Sequence, residues 1–300
     1  MFKRWPMLEK QLAEAIGDFN TVITNYPNHA THITRELLSQ GYERIIAVGG
    51  DGTVSQVVNG FFSADTHKSP LNENAILGVL SSGTGCDTAR TMPIGKGFDQ
   101  QVQTLKKGQV KKLDLGQVET TLSDGSTYVQ LFINICSFGL SGEVVAAVNK
   151  GGGGKAISGR FAYLLGAMKA LVTSKNRRVK MLVDGEKLEE TIAVVGVANG
   201  AFCGGGIHLA PMAKMDDGCL EAIVVGDVGL YDLLKYMKRL FQGRHLVHPK
   251  INHYPVRKFS ATVAGDDDGL VCVETDGEPV GYLPCIIDIR AKAIKVQLQN

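Results

Sequence analysis

The chain has 300 residues, of which 44% are hydrophobic, and its 32 Lys and Arg nearly balance 30 Asp and Glu. A formal net charge of +2 excludes a strong global attraction to nucleic acid, and 36 glycines without any collagen period fit a globular chain with many tight turns. No apolar run approaches the roughly 18 residues of a membrane span, and the opening Met-Phe-Lys-Arg-Trp-Pro lacks a signal-peptide core, so any membrane contact is expected to be peripheral. Six cysteines, none in a C-x-x-C pair or beside His at zinc spacing, are expected to be free thiols in a reducing, cytoplasmic compartment.

Residues 8–16 predict an amphipathic helix with Leu8, Leu12, Ala15 and Ile16 on one face, and residues 19–24 predict a strand. A second helix over 29–40 ends at Gly41. The apolar run 44–48 predicts a strand that enters Gly49-Gly50-Asp51-Gly52-Thr53. Val54, Val57, Val58, Phe61 and Phe62 then follow helical spacing, with Thr53 and Gln56 placed as a capping box. A further strand over 75–80 enters a second turn, Ser82-Gly83-Thr84-Gly85-Cys86-Asp87.

Two glycine-rich turns after two strands are the strongest chemical signal in the sequence. Backbone N–H groups in such a turn converge on an anion. An Asp inside the turn repels a bare phosphate, but suits one that arrives with Mg²⁺ or a hydroxyl that must lose a proton. The pattern implies a nucleotide phosphate chain held for transfer, at the C-terminal ends of a parallel, doubly wound sheet. There is no G-x-x-x-x-G-K-[ST] motif, and neither turn fits G-x-G-x-x-G.

Beyond about residue 110 the pattern changes to β-rich runs at 113–118, 128–136, 179–183, 191–198, 219–225, 259–263, 270–274, 285–289 and 293–298. Ser123-Asp124-Gly125-Ser126 and Val183-Asp184-Gly185-Glu186 read as hairpin turns, and helices are expected near 158–173 and 229–242. This predicts an antiparallel, sandwich-like second domain. Gly151–Gly154 with Lys155 follows no strand and is expected to be a mobile loop, and Asp266-Asp267-Asp268-Gly269 an exposed turn. The 229–242 helix carries Leu233, Leu234, Met237, Leu240 and Phe241 on one side and Lys235, Lys238 and Arg239 near the other, with Arg244 beyond it. That pattern fits a core-packed helix with a solvated basic face, or docking on an anionic membrane.

The block from Val48 to Gly60 resembles the signature of the diacylglycerol kinase catalytic family, which includes bacterial lipid kinases and is related to sphingosine and ceramide kinases. Further matches follow in order: Ser82 to Arg90, Leu113-Asp114-Leu115-Gly116, Phe132-Ile133-Asn134 with Ser137-Phe138-Gly139, Asn199 with Gly204-Gly205-Gly206, Ala210 to Lys214, Asp216-Asp217-Gly218, and Thr275-Asp276-Gly277-Glu278. NAD kinases and phosphofructokinase-like folds share versions of the Gly-Gly-Asp-Gly-Thr block; the later blocks select the lipid-kinase branch over an NAD kinase.

The resemblance implies an α/β N-terminal domain with an NAD kinase/phosphofructokinase-like parallel sheet over 1–115. A mainly antiparallel β-sandwich, lipid-binding domain follows over 116–300, its last strand returning to the first domain. The family's opening strand and Asn-Pro loop are expected to be missing from the first domain. The implied activity is transfer of the γ-phosphate of ATP to a hydroxyl of diacylglycerol or a related lipid; the alternatives are an NAD kinase, or a degenerate, non-catalytic lipid- or nucleotide-binding homologue. Thr24, Gly49, Gly50, Asp51, Gly52, Thr53, Gln56, Gly83, Thr84 and Gly85 are implied in nucleotide binding. Asp51, Asp114 and Asp276 are implied around Mg²⁺ and the lipid hydroxyl, with Asp276 or Glu278 as general base. Lys214, Asp217 and Cys219 match a structural Mg²⁺ site in which Lys214 and Cys219 offer backbone carbonyls; a plain Asp-Gly turn explains the same residues. A homodimer is compatible with the family, and no nucleic-acid partner is implied. The chain departs from the family pattern at Cys86, where Asn is usual, at Asn28 for Gly, at Gln56 for Glu, and at Ser81 near a usual Pro.

Overall fold

A computed structural model describes residues 5–63, 69–83, 85–150, 176–265 and 269–300. The expected helix at 158–173, the Gly151–Lys155 loop, Thr84 and the acidic part of the 266–269 turn lie outside the described residues. The first half contains α1 (Trp5–Ile16), α2 (His29–Ser39), β1 (Arg44–Gly49), α3 (Asp51–Gly60), β2 (Ile76–Ser81), α4 (Asp87–Thr91) and α5 (Gly97–Lys107). The strands β3 (Gln109–Thr121), β4 (Thr127–Phe132) and β5 (Ile135–Gly139) follow, then α6 (Leu140–Lys150), β6 (Arg177–Val183), β7 (Glu186–Ala198) and β8 (Leu220–Gly226). The chain ends with α7 (Leu230–Phe241), β9 (Ile251–Val256), β10 (Lys258–Val263), β11 (Cys272–Thr275) and β12 (Glu278–Leu298).

β1 and β2 are parallel, and the C-terminal end of β12 lies parallel to β2, with Lys295 opposite Ile76. Both faces of this sheet are covered, as alternating apolar residues require. Ile45, Ala47, Leu77 and Val79 face Val54, Val57, Val58 and Phe61 of α3. Ile46, Val48 and Leu80 face Leu12 of α1 and Val102 and Leu105 of α5. Complete burial of a side chain of this size is worth about 1.5–3 kcal/mol, so this interior fixes where α3 begins.

Two long strands turn corners in the β-rich half. β7 pairs with β6 over 186–192 and with β5 over 194–198. β12 pairs with β11 near its start and with β10 over 285–288. Because β10 pairs with β6, and β11 with β5, the pairings close a circuit around one core that includes Phe138, Val195, Phe259 and Ile287. Register breaks at Ile192/Val194 and Tyr282/Cys285 mark the corners, where bulges let one strand serve two layers. This is the expected β-sandwich. The two runs at 285–289 and 293–298 are a single strand with a bulge between Arg290 and Ile294.

Two local expectations fail. Residues 19–24 form no strand: no ladder partner lies beside them among the described residues, and Val22 and Ile23 stand about half exposed. Thr53 does not cap α3. The cap is Gly50, extended at φ −91° and ψ −172°, which leaves Thr53 inside the first turn. Its hydroxyl instead lies over Gly49, where a Cβ would meet the side chain at 2.7 Å or closer.

Candidate active site

The two glycine turns sit at the C-terminal ends of the adjacent strands β1 and β2 and touch each other. A Cβ at Gly83 would stand 2.5 Å from the Gly50 Cα, so only glycine permits the approach. Ser82 N–H donates to the Gly49 carbonyl at 2.8 Å, fixing one turn on the other. Gly50, Asp51, Gly52 and Thr53 open α3, and their free N–H groups and the helix dipole make an anion seat.

Asp51 faces the second turn. Its carboxylate accepts the N–H of Thr88 at 2.9 Å and of Asp87 at 3.2 Å, and so caps α4 from outside. Asp87 is buried, and its Oδ2 accepts Gly205 N–H at 2.6 Å. Its Oδ1 pairs with Arg90 Nε at 3.4 Å, and the Gly206 N–H also acts on the carboxylate. Burial raises the Asp87 carboxyl above its ordinary value, and the neighbouring Asp51 charge adds to the rise. Two neighbouring carboxylates, Asp51 and Asp87, have the charge to meet a divalent cation that arrives with a phosphate.

The opposite wall comes from the sandwich. Asp276, in the left-handed region at φ 52°, accepts three backbone N–H groups, from Ile133 at 3.1 Å and from Asn134 and Ile135 at 3.0 Å. The Ser55 hydroxyl of α3 adds a fourth bond. Burial nonetheless wins and pushes the Asp276 carboxyl up to about 6. Glu274, two residues earlier in β11, is buried against the Ser137 hydroxyl and accepts Gly277 N–H at 2.9 Å. Its carboxyl is pushed up to about 7, first by burial, with Asp276 and Glu278 adding repulsion. Glu278 reaches back toward the first turn: a Cβ on Gly52 would lie 3.7 Å from its Oε1. Its side chain has no hydrogen bond or ion pair among the described residues, and loss of solvent raises its carboxyl.

Asp114 plays a different structural part. It is fully buried, accepting Gly218 N–H at 2.7 Å and Lys292 N–H at 2.6 Å. Asn199 links it onward, donating both to the Asp114 carbonyl at 2.9 Å and to the Ile133 carbonyl at 2.7 Å. Thus Asp114 reaches Asp276 through Asn199 and the β4–β5 turn, whereas Asp51 faces Asp87. Among the described residues no group of three or more His, Cys, Asp or Glu is spaced to hold a metal ion. The implied Asp51–Asp114–Asp276 cluster is therefore not drawn together as a ligand set, because each carboxylate is committed to backbone donors. Asp217 folds an Asx turn onto Cys219 N–H at 3.1 Å, and Lys214 is exposed nearby. Thr24 lies in an exposed irregular segment, and no hydrogen bond joins it to either glycine turn among the described residues.

Sequence reasoning overlooked three supporting residues, Ser55, Asn59 and Glu274, whereas Asp87 was legible as the acid of the second glycine turn. Asn59 accepts Leu131 N–H at 3.0 Å and donates to Leu131 carbonyl at 2.9 Å, clasping β4 to α3. The signal for Ser55 and Asn59 was their polarity at buried helical positions beside Val54, Val57 and Val58.

Comparison with known proteins follows the same division. Residues 2–118 match the model of the diacylglycerol kinase catalytic domain, and residues 134–298 match that of the YegS C-terminal NAD kinase beta sandwich-like domain. The chain belongs to the diacylglycerol kinase catalytic family, a family of lipid kinases. It is 27% identical to a diacylglycerol kinase of Bacillus subtilis (strain 168), over 93% of this chain and 87% of that one. It is 28% identical to a diacylglycerol kinase of Staphylococcus carnosus (strain TM300), over 95% and 86%. A crystal structure from Bacillus anthracis strain Sterne, provisionally named a diacylglycerol kinase, superposes with a TM-score of 0.74 at 25% identity, covering 99% of this chain and 91% of that one. Yeast NADH kinase, with a TM-score of 0.50 at 12% identity over 97% and 72% of the chains, shares the fold alone.

Proposed function

We propose that this protein transfers the γ-phosphate of ATP to a hydroxyl of diacylglycerol or a closely related lipid. The observation that carries this reading is the meeting of Glu278, from the sandwich, with Gly52 in the phosphate-type turn of the other half. Phosphoryl transfer asks mainly for positioning and charge neutralisation. The N–H groups of residues 50–53 and the Gly83–Gly85 turn hold the phosphate chain, with Thr53 and Gln56 on the first turn of α3. Asp51 and Asp87 would hold Mg²⁺, which supplies charge neutralisation on the phosphates when bound; two carboxylates plus substrate phosphates suffice for that ion.

Glu278 is the general base in this reading. Asp276 has its oxygens committed to four donors and holds the turn, whereas Glu278 keeps a carboxylate open toward Gly52. The lipid hydroxyl gives its proton to Glu278 as its oxygen bonds the γ-phosphorus. The bond from that phosphorus to the β-phosphate oxygen breaks, and ADP leaves. Asp114 acts as a positioning residue between the halves. Lys214, Asp217 and Cys219 are proposed as a separate structural Mg²⁺ site, since among the described residues only one oxygen of the exposed Asp217 takes a protein donor.

No helix among the described residues is long and apolar enough to cross a membrane. In this reading the lipid is met at a surface, for which α7 is suited. Tyr231 is 75% exposed and Phe241 49% exposed, beside Lys235, Lys238 and Arg239. Leu240 packs on the sandwich. Pelleting with vesicles should depend on anionic lipid; equal pelleting with neutral vesicles removes this role for α7.

The test of the activity is transfer of labelled γ-phosphate to a lipid panel and to NAD. Labelling of a diacylglycerol-type lipid supports the proposal. Labelling of NAD instead, or nucleotide binding without transfer, contradicts it.

A further inference from the structure

Glu278 leaves a two-residue turn. Asp276 and Gly277 stand at φ 52° and 89°, and Thr275 pairs with Glu278 across them, as in a tight hairpin between β11 and β12. The ladder behind this turn is weak. Pro279, opposite Glu274, has no N–H to give, and the register shifts between Val273 and Glu274, so that Val273 pairs with Gly281. Backbone pairing alone therefore holds Glu278 poorly.

Two side chains supply the missing hold. Asp276 ties one side of the turn to the N–H groups of residues 133–135. Glu274 ties the other. Its Oε2 accepts Gly277 N–H at 2.9 Å, and its Oε1 accepts the hydroxyl of Ser137, its direct partner on β5. Gly277 is exposed, so water would satisfy its N–H without help. Glu274 is buried, and its carboxyl carries a desolvation cost that an apolar side chain in the same place avoids. That cost shows in its carboxyl, pushed up to about 7 chiefly by burial. A buried acid set on a donor that solvent could satisfy breaks the rule of an apolar core, and such breaks belong to functional sites.

Taking Glu278 as the general base of the reading above, we propose that Glu274 is a positioning residue for phosphoryl transfer. Braced by Ser137, it holds the 275–278 turn so that the Glu278 carboxylate stays at Gly52. Gln at this position reproduces both bonds: its carbonyl oxygen accepts Gly277 N–H, and its amide donates to the Ser137 hydroxyl oxygen. Met fills a similar volume and makes neither bond.

The test is steady-state transfer from ATP to diacylglycerol micelles by the full chain, with the melting temperature of each variant recorded. Glu274→Met should lower kcat on the order of 10- to 100-fold, as a displacement of about 1 Å does, with the KM for ATP within about twofold of the wild type. Glu274→Gln should keep kcat within about threefold. In a Glu278→Gln background, Glu274→Met should lower the residual rate by no more than about twofold, because the group it positions is gone. Wild-type kcat in Glu274→Met, an equal loss in the Gln and Met variants, or the same fold-loss with and without Glu278 overturns the proposal. Should Glu274→Met fail to fold, Ser137→Ala carries the test. A kcat several-fold lower at unchanged KM for ATP supports the brace, and a wild-type kcat overturns it. Transfer by Glu278→Gln alone at the wild-type rate is failure of the base assignment, and the positioning role falls with it. Loss in Glu278→Gln with none in Glu274→Met removes the positioning role only.

Discussion

At residue scale, Cys86 shows how one substitution at a family position is felt. It caps α4 at φ 55° and ψ 36°, a left-handed conformation that Asn adopts more readily than Cys. Its Sγ contacts the Gly83 carbonyl at 2.9 Å, a bond an Asn amide reproduces. Cys86→Asn should therefore raise stability by about 1 kcal/mol, read as a higher denaturation midpoint; a lower midpoint contradicts the strain argument. The turn holding Asp276 separates structure from chemistry. Asp276→Asn leaves buried backbone N–H groups without a full set of acceptors and should cost roughly 2 kcal/mol or more, measured by urea denaturation. Both Glu274 and Asp276 have carboxyls raised in the folded state, to about 7 and about 6. The folded protein therefore binds more protons than the unfolded chain between the ordinary carboxyl range and about pH 7. Their contribution is fully present below the ordinary values and is lost as pH rises through about 6 to 7. Stability should fall between pH 5 and pH 8, and Glu274→Gln should flatten that slope. A slope unchanged in the variant would place the titration elsewhere.

At the scale of elements, α3 joins the halves. Its start carries the first glycine turn, Ser55 reaches Asp276, and Asn59 clasps Leu131. Asn59→Leu should leave a buried N–H and a buried carbonyl unpaired, costing about 2–4 kcal/mol; a change below 0.5 kcal/mol by denaturation would show that the clasp is not structural. Much of this element was legible, because Val54, Val57, Val58 and Phe61 state its buried face outright. Its cap was not, because Thr53-x-x-Gln56 imitates a capping box while the short turn after β1 starts the helix three residues earlier. The segment 19–24 has strand-like residues but no partner, and pairing cannot be read from composition. β12 was read as two strands, because the Arg290–Ile294 bulge interrupts the alternation that periodicity relies on.

At the scale of the whole molecule, the glycine turns, the Asp276–Glu278 turn and the class of fold were visible as sequence blocks. Their assembly depended on pairings between residues far apart. Asp51 meets Asp87, Ser55 meets Asp276, and Asp114 meets Lys292 only once β12 has crossed back beside β2. The carboxylates thus divide their work. Asp114 and Asp276 hold backbone, Asp51 and Asp87 lie at the glycine turns, and Glu278 remains open between the two halves. The most direct test is γ-phosphate transfer to diacylglycerol micelles by the wild type and Glu278→Gln, with the melting temperature of each recorded. Loss of general-base catalysis should lower kcat by about 10²–10⁴-fold with an unchanged melting temperature. Transfer by Glu278→Gln within about threefold of the wild type, well short of that loss, would contradict the assignment.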